Sequence, residues 1–180
     1  MKKILVFLIL ILFFGCKDSQ NKNQNIIKSE NKIDTQNLVN IYPFNKAEKI
    51  EVISYPDRST WDKNFSFSGD NIVKNGKLNL DSKYFKQRKI ITNEQARFFF
   101  APLIYIKCKK TEMAACYMPR HLFLFYDKNG KIFEFFEICF ECLQAKSSEK
   151  FPKVNICAEN ILENENNLRK LGIDYISEEK

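Results

Sequence analysis

The sequence lacks the glycine-rich and paired-acid patterns that identify many nucleotide-binding and hydrolytic enzymes. Its 180 residues include 5 glycines and 1 histidine, and they contain no phosphate-binding loop, dinucleotide fingerprint or internal repeat. Any Ser–His or Cys–His catalytic pair must therefore use His121, with Cys116 as the nearest candidate nucleophile. Because His121 lies inside a predicted strand without a glycine-rich elbow, a structural role is favoured over a catalytic one.

Acidic residues are fewer than basic ones, 22 against 29, and the formal net charge is +7. A basic chain is a common feature of nucleic-acid-binding proteins. Here the lysines are scattered among asparagines rather than gathered in one stripe, which is typical of a solvated surface. We therefore expect no nucleic-acid partner and only nonspecific attraction to anionic lipid or polysaccharide.

Long hydrophobic runs are also missing from the sequence. The run Ile4–Phe14 has roughly 11 residues, whereas a helix that spans a bilayer needs about 20. It follows two lysines and precedes Gly15 and Cys16, which is the order of a bacterial lipoprotein signal. We predict that residues 1–15 are removed and that Cys16 carries a lipid on its sulfur. The membrane is then a partner through this lipid, and the expected location is the bacterial cell envelope, facing the periplasm or the cell surface.

The segment after the lipid site is polar. Residues 16–40 are rich in Asn, Lys, Gln and Ser and contain only isolated aliphatic residues. Such a segment cannot bury enough apolar surface to offset the entropy lost on ordering, so we predict a flexible tether. The remaining residues, 41–180, have the length of one domain with one hydrophobic core.

Patterns within this domain predict an α+β fold with a mainly antiparallel sheet. A central β-hairpin is predicted at about 119–141, where two apolar strands flank Asn129-Gly130 in a type I′ turn. A capping box formed by Thr92 and Gln95 predicts a helix at about 93–101 that ends before Pro102. A further strand is expected at Leu103–Lys107.

A second helix is predicted at about 157–171, and Gly172 followed by Ile173 has the form of a Schellman-type end. The helix shows apolar periodicity, which predicts the face that packs against the core. The members of this stripe are Ala158, Ile161, Leu162, Glu165, Leu168 and Leu171.

A two-residue loop in the hairpin places Arg120 opposite Cys139. Aromatic residues then face both sides of the second strand, which predicts a central strand covered on both faces. Arg120 shares one face with Glu137 and Glu141, so these residues are a candidate binding site in which a guanidinium fork recognises an anion or carboxylate. A half-buried structural ion pair is the favoured alternative.

The sequence contains 6 cysteines, of which Cys16 is assigned to the lipid. The cell envelope is oxidising, so disulfide bonds are the expected state of the others. Because the remaining cysteines are odd in number, at most two bridges form within one chain, and one thiol is left free, metal-bound or paired between chains. The candidate disulfide or metal ligands are Cys108, Cys116, Cys139, Cys142, Cys157 and His121.

Cys139 and Cys142 form a Cys-x-x-Cys motif with three open interpretations. A redox-active pair needs its first cysteine at a helix N-terminus, whereas this motif ends a strand. A zinc site could combine Cys116, His121, Cys139 and Cys142, a tetrahedral set by ligand type, if the strand stops near Phe140. Structural disulfides are the favoured interpretation, and their connectivity does not follow from the sequence.

Residues 116–142 combine Cys-Tyr-Met-Pro-Arg-His with a hairpin and then Ile-Cys-Phe-Glu-Cys. This motif pair resembles one in a family of small bacterial exported proteins and lipoproteins without an established activity. Cys157 and the helix after it are similar to the tail of that family. The resemblance covers about a third of the chain. It implies that Pro119-Arg120-His121 and the cysteines form one local unit, and it brings no catalytic residues.

These features together predict a lipid-anchored envelope protein whose domain binds a partner rather than catalysing a reaction. An envelope protein or a glycan is the expected kind of ligand, and no cofactor is expected. The alternative is a thiol-redox or zinc-dependent envelope enzyme that uses Cys116, His121, Cys139 and Cys142.

Overall fold

Seven strands and three α-helices build the part of the chain that this computed structural model describes, residues 35–109 and 114–177. The predicted signal segment, Cys16 and most of the predicted tether lie outside these residues. The strands are β1 (Lys49–Ser54), β2 (Val73–Lys74), β3 (Lys77–Leu78), β4 (Gln87–Ile91), β5 (His121–Tyr126), β6 (Ile132–Cys139) and β7 (Gln144–Ser147). The helices are α1 (Arg58–Trp61), α2 (Asn93–Tyr105) and α3 (Ala158–Lys170), with 3-10 helices at Thr35–Asn40 and Ser82–Tyr84.

Five of the strands form one antiparallel sheet in the order β4-β1-β5-β6-β7, and β2 and β3 form a separate hairpin. The predicted α+β fold with a mainly antiparallel sheet is therefore confirmed, and the β5–β6 hairpin is part of the sheet centre. Within the described ranges, no helix has both the length and the apolar character needed to cross a bilayer.

Both faces of the five-stranded sheet are covered by apolar packing. One face packs against α2 and α3 and includes the aromatic residues Phe99, Phe100, Phe123 and Phe136. The other face packs against the segment between β1 and β4. The predicted covering of both faces is confirmed. Leu38 is buried in the helical layer, so the folded part of the chain includes residues before position 41.

The β5–β6 register follows the prediction from His121 to Phe125, and a bulge then shifts Tyr126 opposite Ile132. The predicted type I′ turn is wrong, because that turn needs a positive φ at both central residues. In the described chain only Gly130 of this pair has one, at +72°. The Gly130 N–H donates to the Asp127 carbonyl over 3.0 Å, so the loop is a type I turn followed by a glycine bulge.

Helix α2 begins as predicted, with both hydrogen bonds of the Thr92–Gln95 capping box present. Its predicted end is wrong, because the helix continues through Pro102 to Tyr105 and replaces the strand expected there. Proline removes one backbone donor from a helix interior. Here Pro102 and Leu103 are buried in the core, and burial of this face holds the last turn in place.

Helix α3 ends as predicted in a Schellman motif, with Gly172 donating to Arg169 and Ile173 donating to Leu168. The predicted apolar stripe is only partly correct. Leu168 and Leu171 are buried, but Leu162 is 71% exposed. The buried face also carries three asparagines, Asn160, Asn164 and Asn167. Burial of Asn160 in the first turn is possible because its side chain makes local hydrogen bonds: it accepts from Cys157 N–H and donates to the Asn155 carbonyl.

Candidate functional site

A fully buried ion pair joins Glu137 of β6 to Arg58, the first residue of α1. Arg58 Nε donates to Glu137 Oε1 over 2.6 Å and Nη2 donates to Oε2 over 2.9 Å, and both side chains have 0% exposure. Helix α1 can present Arg58 here because Asp57 caps it by accepting from Ser59 N–H. The result is a bidentate guanidinium–carboxylate pair with fixed orientation.

Three further polar side chains complete this buried cluster. The Tyr55 hydroxyl donates to Glu137 over 2.6 Å, and the Tyr117 hydroxyl donates to Glu137 over 2.9 Å. Arg58 Nη1 donates to Asp62 over 2.6 Å. The two carboxylates and two hydroxyls thus satisfy most of the hydrogen-bonding capacity that burial of the pair removes from water.

The electrostatics of this cluster keep the two tyrosine hydroxyls and the Arg58 guanidinium protonated. Burial and the negative charge of Glu137 raise the pKa of the Tyr55 and Tyr117 hydroxyls, so both stay protonated donors. Burial alone would lower the pKa of Arg58, but the hydrogen bond and charge of Glu137 outweigh it and leave the pKa raised. The cluster is therefore a stable ion pair rather than a proton-transfer site.

Arg120 was predicted to lie beside Glu137 and Glu141, and the prediction is correct for Glu141 only. Arg120 Nη1 donates to Glu141 over 2.8 Å at the ends of β5 and β6. Its predicted neighbour Glu137 instead binds Arg58, which the sequence patterns did not single out. Hairpin register places residues on one face but does not show which distant segment covers that face, and α1 is 79 positions away from Glu137.

Two disulfides are present, which confirms the expectation of disulfide bonding. Cys108 and Cys157 join the segment after α2 to the start of α3, with their Cα atoms 5.9 Å apart. Cys116 and Cys142 join the segment before β5 to the segment after β6, with a Cα separation of 5.7 Å. Both separations suit a disulfide. Among the described cysteines, Cys139 is the free one, and it is buried.

The Cys139–Cys142 motif is not an internal disulfide, because Cys142 is bonded to Cys116. Cys142 N–H donates to the Cys139 sulfur over 3.2 Å. Burial raises the pKa of the Cys139 thiol, although backbone donors partly oppose this effect. A thiol in this state is a poor nucleophile. In the described chain, no group of three or more His, Cys, Asp or Glu side chains has the arrangement of a metal site.

His121 is buried on the helical face of the sheet. Its Nε2 lies 2.8 Å from the Tyr175 carbonyl, which can only accept, so Nε2 carries the proton. The ring also packs against Phe140, with 5.3 Å between centroids. Burial lowers the pKa of His121 to about 4, so the ring is neutral near pH 7. Cys116, Cys142 and His121 are thus each bonded elsewhere and do not form one reactive cluster with Cys139.

Among the concave regions of the described chain, two lie next to the ion pairs described above. A groove of about 480 Å³ is lined by Trp61 and Tyr84, whose rings stack 4.5 Å apart, together with Asp62 and neighbouring polar residues. A smaller cavity of about 160 Å³ includes Arg120, Glu141 and residues of α3. The residues that the sequence patterns missed are Tyr55, Arg58, Tyr117, Glu165 and Arg169. Of these residues, only Arg58 stands next to a sequence signal: Asp57 before it is a typical N-cap residue, which marks the start of a helix.

No protein family, curated protein or solved structure matches this chain at a significant level. The resemblance of residues 116–142 to small exported bacterial proteins therefore stays a prediction.

Proposed function

We propose that this chain is a lipid-anchored protein of the bacterial cell envelope whose α+β domain binds a ligand without catalysing a reaction. Two features support this location. The first is the lipoprotein-like order of lysines, apolar run, Gly15 and Cys16. The second, which carries the proposal, is the pair of disulfides Cys108–Cys157 and Cys116–Cys142, since such bonds persist in oxidising compartments.

Binding is favoured over catalysis by the state of the reactive side chains. Cys116 and Cys142 are bonded to each other, and Cys139 is buried with a raised pKa. His121 is buried, neutral and hydrogen-bonded to a carbonyl. A general base or a thiolate nucleophile needs access to substrate and a pKa near the working pH. These residues have neither, which argues against the thiol-redox or zinc-dependent alternative.

The location is tested by fractionating cells that produce the full chain and analysing its N-terminal peptide by mass spectrometry. We expect the protein in the membrane fraction, with a mature N-terminus at a lipid-modified Cys16. A Cys16→Ser variant should leave the membrane fraction, whereas the matched variant Cys139→Ser should remain in it. An unmodified Met1 on cytosolic protein would overturn the proposal.

The enzymatic alternative is tested on the same purified protein by metal analysis and by thiol–disulfide exchange with a dithiol reductant. A binding module with structural disulfides should contain no stoichiometric zinc. It should also exchange slowly until it unfolds. Stoichiometric zinc bound through cysteine, or rapid reversible exchange in the folded state, would contradict the proposed binding module and support the enzymatic alternative.

A further inference from the structure

The cavity of about 160 Å³ lies where the end of the β5–β6 hairpin meets α3 and the C-terminal segment. Arg120 directly precedes β5 and Glu141 follows β6, so the sheet contributes one charge of each sign. Glu165 and Arg169, one turn apart on α3, contribute a second pair. The cavity is thus lined by two cations and two anions that come from two different elements.

This charge arrangement discriminates between classes of ligand. An anion without a positive group meets Glu141 and Glu165, and a cation without a negative group meets Arg120 and Arg169. Like charges placed together in a partly buried site cost affinity, whereas complementary ones favour it. A small zwitterionic ligand can direct its negative group to the two arginines and its positive group to the two glutamates. Its binding leaves the net charge of the cavity unchanged.

The carboxylate of Glu165 has unused hydrogen-bonding capacity. Glu165 makes no hydrogen bond or ion pair with another described residue, whereas Glu141 is held by Arg120 over 2.8 Å. Partial burial raises the pKa of Glu165, and the nearby Glu141 charge adds to the effect while Arg169 opposes it. A ligand ammonium group at this position would supply the missing donor to Glu165.

Apolar side chains complete the lining. Phe140 is buried beside the neutral His121 ring, and Met118 and Ile176 are partly buried. The charged residues are more exposed than Phe140 and His121, so the apolar part lies toward the protein interior. A cavity of about 150 Å³ holds a benzene-sized molecule. The space therefore suits a ligand whose charged end faces outward and whose short apolar end faces Phe140.

We propose that this cavity binds a free α-amino acid with a small apolar side chain, its carboxylate facing Arg120 and Arg169 and its ammonium group facing Glu141 and Glu165. This inference rests on the proposed role as a binding module and specifies its ligand class. Terminal residues of peptides share part of this chemistry, but each terminus carries only one of the two charges.

Isothermal titration calorimetry of the full lipidated chain in detergent micelles tests the inference with three matched probes. L-Leucine carries both charges, L-leucinamide keeps only the ammonium group of a peptide N-terminus, and N-acetyl-L-leucine keeps only the carboxylate of a C-terminus. We expect 1:1 binding of L-leucine that is about tenfold or more tighter than that of either other probe. Absence of L-leucine binding at millimolar concentration, or equal affinity for a singly charged probe, would overturn it.

Variants of α3 separate recognition from a structural effect. Glu165→Gln should weaken L-leucine binding about tenfold or more, because it removes a charge-assisted hydrogen bond to the ammonium group. It should leave N-acetyl-L-leucine binding unchanged or stronger, since a carboxylate no longer meets a negative charge there. The exposed control Glu163→Gln should behave as the unaltered protein. Equal loss of all probes in Glu165→Gln would contradict the assigned role.

Fractionation of the same cells keeps this inference separable from the proposed location. A membrane-anchored protein that does not bind L-leucine overturns the amino-acid site and leaves the location intact. An unlipidated cytosolic protein that binds L-leucine overturns the location and leaves the site intact.

Discussion

At the scale of single residues, the Arg58–Glu137 pair is the most demanding feature of the domain. Both side chains have 0% exposure, so both charges have lost their hydration. Attraction inside a protein repays that loss only with good geometry and added hydrogen bonds. Tyr55, Tyr117 and Asp62 supply those bonds. Removal of one partner leaves the others with a buried, uncompensated charge.

The variant Arg58→Met should therefore lower the free energy of unfolding by about 3–5 kcal/mol. The control Arg88→Met removes an ion pair to Glu51 in which the arginine side chain is 47% exposed, and it should cost only about 1 kcal/mol. Urea denaturation at neutral pH with disulfides intact measures both. Similar losses in the two variants would show that burial of the Arg58 pair is not the decisive factor.

His121 makes stability depend on pH. Its pKa is about 4 in the folded chain and about 6.5 when unfolded, so between these values only the unfolded state binds the proton. The free energy of unfolding should fall as pH decreases from about 7 to about 4, by up to about 3 kcal/mol from this residue. His121→Gln keeps a donor for the Tyr175 carbonyl and should have a flatter profile in urea titrations. Parallel profiles would refute this origin.

At the scale of elements, the β5–β6 hairpin depends on a backbone conformation at Gly130. Its φ is +72°, and an added Cβ would meet nothing within 4 Å. A side chain there is disfavoured by backbone strain alone and not by a clash. The hairpin holds the register of the sheet centre, so this single position affects the element that carries Glu137.

Gly130→Ala should destabilise the domain by about 1–2 kcal/mol, because alanine resists the left-handed region. Gly130→Asn should cost less, since asparagine tolerates that region more readily. Urea denaturation of the two variants provides the comparison. Equal costs would indicate that the loop changes its turn type when Gly130 is replaced.

At the scale of the whole molecule, the two disulfides tie segments that are distant in the sequence, with separations of 49 and 26 residues. Each closes a loop of the unfolded chain and is worth about 2–4 kcal/mol. The Cys108–Cys157 bond joins the segment after α2 to the start of α3. The Cys116–Cys142 bond joins the segment before β5 to the segment after β6. The domain should therefore be markedly less stable in a reducing compartment.

Thiol counting tests this redox state. Native protein should react slowly with a maleimide, because Cys139 is buried and its pKa is raised. Denatured protein in which Cys16 carries the proposed lipid should expose one thiol without reductant, and mass spectrometry should place the label on Cys139. Reduction should then expose the four disulfide cysteines as well. Rapid labelling of Cys116 in the native protein would contradict the Cys116–Cys142 bond.

The features that the sequence determined by itself are local. The Thr92–Gln95 capping box and the Schellman end at Gly172 form as predicted, because each depends on hydrogen bonds between residues a few positions apart. The turn signal at Asn129-Gly130 likewise predicted the pairing of β5 and β6 from His121 to Phe125, although the type of turn differs from the prediction. These arrangements need only the geometry of residues that are close together in the sequence.

The tertiary structure alone decided how distant segments meet. Glu137 pairs with Arg58 rather than Arg120 because α1 covers that face of the sheet. Cys116 binds Cys142, and α2 continues through Pro102, for the same kind of reason: the path of the chain places the bonded cysteines together and buries the last helical turn. The cavity between the hairpin and α3 also depends on that path. A short stretch of sequence cannot predict these contacts, because they are stabilised by burial of surfaces that belong to segments far apart in the chain.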